Sequence, residues 1–174
     1  MDKAMNILRT VAHAAVLISC SVFAGESVNV SVTGNIVASP CIFNEGNNSL
    51  DINLGNIQAT NLATPGSASD PVPFSLRFTR CPSGTRGVTV SFTGTPDPVA
   101  GAEYFRNSGS ATGVAIAMRD VETGTLKGTG SAMSQTVAAD GTATLPMQAS
   151  VVSVAGGVTP GSISAVVVMT MQYN

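Results

Sequence analysis

The chain has 174 residues, enough for one domain behind a targeting segment. Charged residues make up 10%, aromatics 5%, Trp is absent and Gly is abundant at 18, which suits a turn-rich all-β protein and excludes a disordered chain or a coiled coil. A net charge of -2, with the basic residues beyond position 24 scattered (Arg77, Arg80, Arg86, Arg106, Arg119, Lys127), excludes an electrostatic footprint for nucleic acid.

Lys3 and Arg9 precede an apolar run, Val11 to Phe23, which ends in Val22-Phe23-Ala24. A basic start, a short apolar run and small residues before the cut mark a secretory signal peptide over 1–24, cleaved after Ala24 or, alternatively, after Gly25. The run is short for a membrane span, the competing reading. Cleavage removes His13 and Cys20, so the exported chain keeps two Cys and no His. Export means an oxidising compartment, where Cys41 and Cys81 are expected to bond to each other.

The same subtraction removes most chemistry. Without His there is no Ser-His-Asp or Cys-His arrangement, and disulfide-bonded Cys offer no thiolate to a metal. The carboxylates (Glu26, Glu45, Asp51, Asp70, Asp97, Glu103, Asp120, Glu122, Asp140) sit singly among turn residues. A glycosidase-type pair is the one enzyme reading left. The expectation is no enzyme, no cofactor and no metal.

Val28, Val30, Val32, Gly34 and Ile36 alternate with Ser27, Asn29, Ser31, Thr33 and Asn35, a period of two that marks a strand. Gly34 interrupts its apolar face, as at a bulge or where another group approaches closely. Pro40-Cys41 ends the segment. Leu50-Asp-Ile-Asn-Leu-Gly55 reads as a short strand, and 56–71 as a polar connection. Phe74, Leu76 and Phe78 point inward on a strand that ends at Cys81. Val88, Val90 and Phe92 form the next. Residues 103–113 read as a loop, whose Tyr104, Phe105 and Arg106 are either a sugar-stacking patch or residues capping the core. Val114, Ile116 and Met118 make another strand, 134–137 a weak one, and Leu145, Met147, Ala149 and Val151 the penultimate one.

The last stretch, Gly161 to Asn174, has the cleanest pattern. Ile163, Ala165, Val167, Met169, Met171 and Tyr173 fall on one side; Ser162, Ser164, Val166, Val168, Thr170 and Gln172 fall on the other. This is a long half-buried strand from 162 to 173. An uncovered apolar strand edge is a template for another chain. Short strands with turn signals and no helical periodicity mean a sandwich or barrel.

Taken together, these residues resemble the pilin subunits of chaperone–usher fimbriae, in particular the type 1 fimbrial group. The resemblance rests on the alternating Gly-containing extension before Cys41, the Leu50 to Gly55 segment, and the Phe74 to Cys81 strand ending on the second Cys. Gly113-Val-Ala-Ile-Ala-Met118 and a last strand opened by Gly161 with Tyr173 penultimate complete it. It implies an incomplete immunoglobulin-like β-sandwich, six strands plus an N-terminal donor strand, completed by donor-strand complementation. Residues 25–39 would be the extension and 40–174 the pilin domain. Val28, Val30, Val32, Gly34 and Ile36 would plug a neighbour's groove, with Ile36 engaging first. Ile163, Ala165, Val167, Met169, Met171 and Tyr173 would line the chain's own groove. The implied partners are a periplasmic chaperone, an outer-membrane usher and neighbouring subunits in a head-to-tail fimbria on the cell surface. The short extension, with Cys41 17 residues into a chain starting at Gly25, is more like a minor adaptor than the major rod subunit. A one-domain receptor-binding subunit is the further alternative.

Overall fold

The structure, a computed structural model, describes residues 27–36 and 40–174. The signal peptide expected over 1–24 lies outside the described residues, as do 25–26 and 37–39 of the extension. The chain divides into two units, Met1–Asn35 and Ile36–Asn174. The described part of the first, 27–35, runs without a ladder partner.

In the second unit the described strands are β1 (Ile42–Phe43), β2 (Val72–Thr79), β3 (Gly87–Gly94), β4 (Pro96–Asp97), β5 (Gly101–Arg106), β6 (Val114–Asp120), β7 (Ala132–Thr136), β8 (Ala143–Ser153) and β9 (Val167–Tyr173). They form two sheets, in the orders β1-β2-β8-β6-β5-β4 and β7-β3-β9, with every pairing antiparallel. The fold is an immunoglobulin-like sandwich.

The alternation in sequence becomes alternation in burial. Val88, Val90 and Phe92 of β3 are fully buried, as are Leu76 and Phe78 of β2 and Leu145, Met147 and Val151 of β8. Each such side chain contributes roughly 1.5–3 kcal/mol on burial. Their hydroxyl-bearing neighbours Thr89, Ser91 and Thr93 face outward, where Thr89 Oγ1 meets Ser134 Oγ at 2.9 Å across to β7. The Cys41–Cys81 disulfide joins the residue before β1 to the segment just past β2. Beside it, the Phe43 and Phe78 rings lie 5.3 Å apart.

The structure departs from the sequence expectations in several places, beginning with Val28 to Ile36, read as a strand, which carries no strand assignment in this chain alone. Gly101–Arg106, most of it read as loop, is β5. Phe105, its penultimate residue, is buried, because Gly94 leaves room for the ring: a Cβ there would sit 2.7 Å from Phe105 Cδ1. The Leu50 to Gly55 segment is extended and alternates in burial, yet it joins no ladder. The last strand pairs with β3 only over Val167–Tyr173, because β3 ends at Gly94, opposite Val167.

Candidate functional site

Among the described residues, β9 is the edge of its sheet and pairs with β3 alone. Successive residues of a strand point their amides to opposite sides. Ser162 and Ser164 direct theirs toward the β3 side, where Ala111 N–H donates to Ser162 O at 3.0 Å and Ser108 N–H to Ser164 O at 2.8 Å. Asn174 does the same, its N–H donating to Gly87 O at 3.2 Å. The main-chain groups of Ile163, Ala165, Val167, Met169, Met171 and Tyr173 therefore point to the other side, the open edge. The six residues whose side chains pack on the core also present the unpaired amides. All six are half-buried against the main apolar cluster, while Val166 and Val168 face out and are exposed.

Opposite this edge runs the unladdered segment of Leu50, Ile52, Leu54 and Ile57, whose apolar side chains also pack against the core clusters. Between the two walls lies a groove of about 600 Å³, lined by Leu50 to Ile57 on one side and Gly161 to Ala165, Val167 and Met169 on the other. Phe74, Leu76, Ile116, Met118 and Ala149 line it from the six-stranded sheet. The groove thus offers an apolar floor and a row of free donors and acceptors on β9. Chemically, that is a site for an extended peptide whose alternate residues are apolar. At the far end, the Tyr173 ring sits edge-on to Phe78 at 6.3 Å, and burial pushes its phenol pKa up.

The other residues singled out in the sequence are placed as follows. Cys41 and Cys81 are bonded. Val28, Val30, Val32 and Ile36 are exposed, at 82%, 81%, 89% and 104% of the reference area, which is extreme for aliphatic side chains. Nothing lies within 4 Å of a Cβ built on Gly34. Tyr104, Phe105 and Arg106 do not form a loop patch, since β5 puts Tyr104 and Phe105 on opposite faces and buries the latter. Among the described residues, no group of three or more His, Cys, Asp or Glu is placed to hold a metal ion.

Sequence reasoning missed two parts of the site. Leu50 to Gly55 was legible as a short alternating strand but not as a groove wall, because alternation does not say what lies opposite, and Ile57 was read as part of a polar connection. Asn107 was missed altogether. Its side chain bridges to Ser162 and Ser164, 55 and 57 residues away, and an Asn-Ser-Gly run signals only a local turn.

The model of the family described as "Fimbrial protein" matches residues 30–174. The protein FimG of Escherichia coli is 33% identical over 147 residues, covering 84% of this chain and 85% of its own length. The S-fimbrial adhesin protein SfaS, also of Escherichia coli, is 34% identical over 169 residues, 95% of this chain and 98% of its own. The crystal structure of the P pilus rod subunit PapA superposes with a TM-score of 0.65 at 23% identity, covering 78% of this chain and all of PapA. With an uncovered strand edge, an apolar groove beside it and a family match over nearly all of the folded body, this chain belongs to the fimbrial protein family and is a subunit of chaperone–usher fimbriae.

Proposed function

We propose that the chain polymerises by donor-strand exchange. Its extension, Val28, Val30, Val32, Gly34 and Ile36, fills the groove of one neighbour, and the extension of another fills the groove beside β9. Residues 1–24 would direct export, 25–39 serve as the extension and 40–174 as the accepting domain. In the periplasm a chaperone would hold the open edge until the usher replaces it with the next subunit. The short extension favours a minor adaptor position over the rod.

One observation carries this reading: a single chain holds both an exposed alternating apolar segment and an apolar groove with free edge amides. The lengths match. From Val28 to Ile36 an extended chain spans roughly 26 Å, and from Ile163 to Tyr173 roughly 33 Å, at about 3.3 Å per residue. The open part of the groove lies at the Ile163 end, so Ile36, engaging first, enters there and the added strand runs antiparallel to β9. Plug and groove are different surfaces of one molecule, and such head-to-tail contacts build open filaments rather than closed rings.

Deleting residues 26–38 separates the two functions. The shortened chain should co-purify with the chaperone yet form no filaments in cells. Filaments in normal yield would overturn the proposal.

The name of the SfaS relative motivates a second reading, a subunit that itself binds a receptor. A glycan array on protein whose groove is filled by a fused strand tests it, and binding abolished by substitutions outside the groove would favour it.

A further inference from the structure

The end of the groove wall at residues 161–166 is held without a ladder, by single bonds from 107–111: Ser108 N–H donates to Ser164 O, Ala111 N–H to Ser162 O, Ser162 N–H to Ser110 Oγ, and the Asn107 side chain adds to these. β3 stops at Gly94, opposite Val167, and Asn107, just past β5, stands in its place. Asn107 Oδ1 accepts the Ser164 N–H at 2.8 Å, and its Nδ2 donates to Ser162 O at 3.4 Å. The same amide accepts from Gly109 N–H at 3.0 Å and donates to Ala111 O at 2.9 Å. One side chain thus gives the wall an acceptor and a donor, as a peptide group of a neighbouring strand would.

Two glycines let the backbones close on each other. A Cβ on Gly109 would collide with the Ser162 carbonyl, and one on Gly161 with the Ala111 nitrogen. Ile163, between the two clasped serines, points the opposite way and packs on both apolar clusters. The clasp therefore fixes the wall residue nearest the point where a strand enters.

We propose that Asn107 is a positioning residue that sets the mouth of the groove and, through it, the rate at which an incoming strand begins to pair. This rests on the strand-accepting reading of the groove. An entering strand must bond to the outward amides of Ile163 and Ala165, which requires 161–166 to be already extended. If the wall frays, only the ordered fraction is competent, and capture slows by that fraction. Losing the 2.8 Å bond to Ser164 together with the long one to Ser162, while the main-chain bonds from Ser108 and Ala111 remain, lowers the equilibrium for that ordering roughly two- to ten-fold.

The test uses the chaperone-held subunit and a fluorescent peptide of this chain's residues 26–39, with Asn107→Ala and Asn107→Asp beside the wild type. Hydrogen exchange of 161–166 should quicken roughly two- to ten-fold in Asn107→Ala, with β9 from Val167 to Tyr173 still protected. Peptide capture should slow as well, by the fall in the ordered fraction, which is smaller than the change in exchange. Asn107→Asp, which keeps the acceptor and loses the donor, should fall between them, and it carries the test alone if the alanine variant does not fold. A peptide ending at residue 34 does not reach the mouth, so its capture should be equal in all three proteins. Equal capture of the long peptide, or equal slowing of both peptides, would overturn the role of Asn107 while leaving the groove reading intact. No capture by the wild type would overturn the groove reading and, with it, this inference.

Discussion

Strand complementation makes a position-by-position prediction along the extension. Remove residues 27–36 from the front of the exported chain and attach them after Asn174 through about four flexible residues. β9 then turns back on itself as a hairpin and the segment lies antiparallel along its open edge. Substitute each residue by Ala in turn. Val28, Val30 and Val32 are more than 80% exposed without a partner, so filling the groove buries nearly all of each. Val→Ala removes two methyl groups, a loss of about 1.6 kcal/mol at about 0.8 kcal/mol per carbon. Ile36→Ala removes three carbons, about 2.4 kcal/mol by the same reckoning. Ser27, Asn29, Ser31 and Thr33 point outward, and their substitution stays within about 0.5 kcal/mol. For a domain of this size, about 2–4 °C per kcal/mol turns these into melting shifts of roughly 3–10 °C against 2 °C or less. Urea and thermal unfolding followed by circular dichroism would read the series. A flat profile, or one in the opposite phase, would refute the strand-addition argument, because a one-residue slip moves every side chain to the other face.

Three further outcomes are expected. Tyr173→Ala, which removes the edge-on contact with Phe78, should cost about 2 kcal/mol, roughly half the loss of a fully buried aromatic, and reduce co-purification with the chaperone; an undiminished complex would count against β9 as the captured edge. Cys41→Ser opens a loop of sequence separation 40 and should lower stability by about 4 kcal/mol, measured by urea unfolding against the oxidised wild type. Burial raises the Asp120 pKa, but hydrogen bonds from Thr123 Oγ1 at 2.7 Å and the Glu122 N–H at 2.9 Å, with attraction from Lys127, outweigh it and leave the pKa below its ordinary value. A lowered carboxylate pKa contributes stability above the unfolded value, lost as pH falls through the folded one. Asp120→Asn should therefore be less stable than wild type near pH 7, with the gap closing below about pH 4; a gap that does not change with pH would refute this.

Much of the fold could be read from alternation, and the failures follow from what alternation omits. The strands carrying Phe74 to Phe78, Val88 to Phe92, Val114 to Met118 and Leu145 to Val151 sit where the pattern puts them, because each buries an alternating apolar face, β6 burying its small Ala115 and Ala117 as well. β5 was hidden: only Phe105 of its residues is deeply buried, and an edge-side strand with one inward anchor shows no period. In the Leu50 to Gly55 segment the side-chain period was right and the ladder absent, since a pattern reports faces, not partners. Of the site, the inward set on β9 was legible from 163 to 173. The clasp at Asn107 was not, because one side-chain amide replacing a strand leaves no periodic trace.

The disulfide lies where the extension meets the body. If a fibre is pulled, load on residues 27–36 enters the domain at Cys41. Without the bridge it would reach β1, held by two residue pairs, and could then strip out the unladdered stretch as far as β2. The sulfur link diverts that tension to Cys81, beside the end of β2, which is fastened along seven pairs to β8. The unladdered stretch between β1 and β2 is thereby bypassed, and on the proposed strand exchange traction passes from the extension to the sheet through a covalent bond.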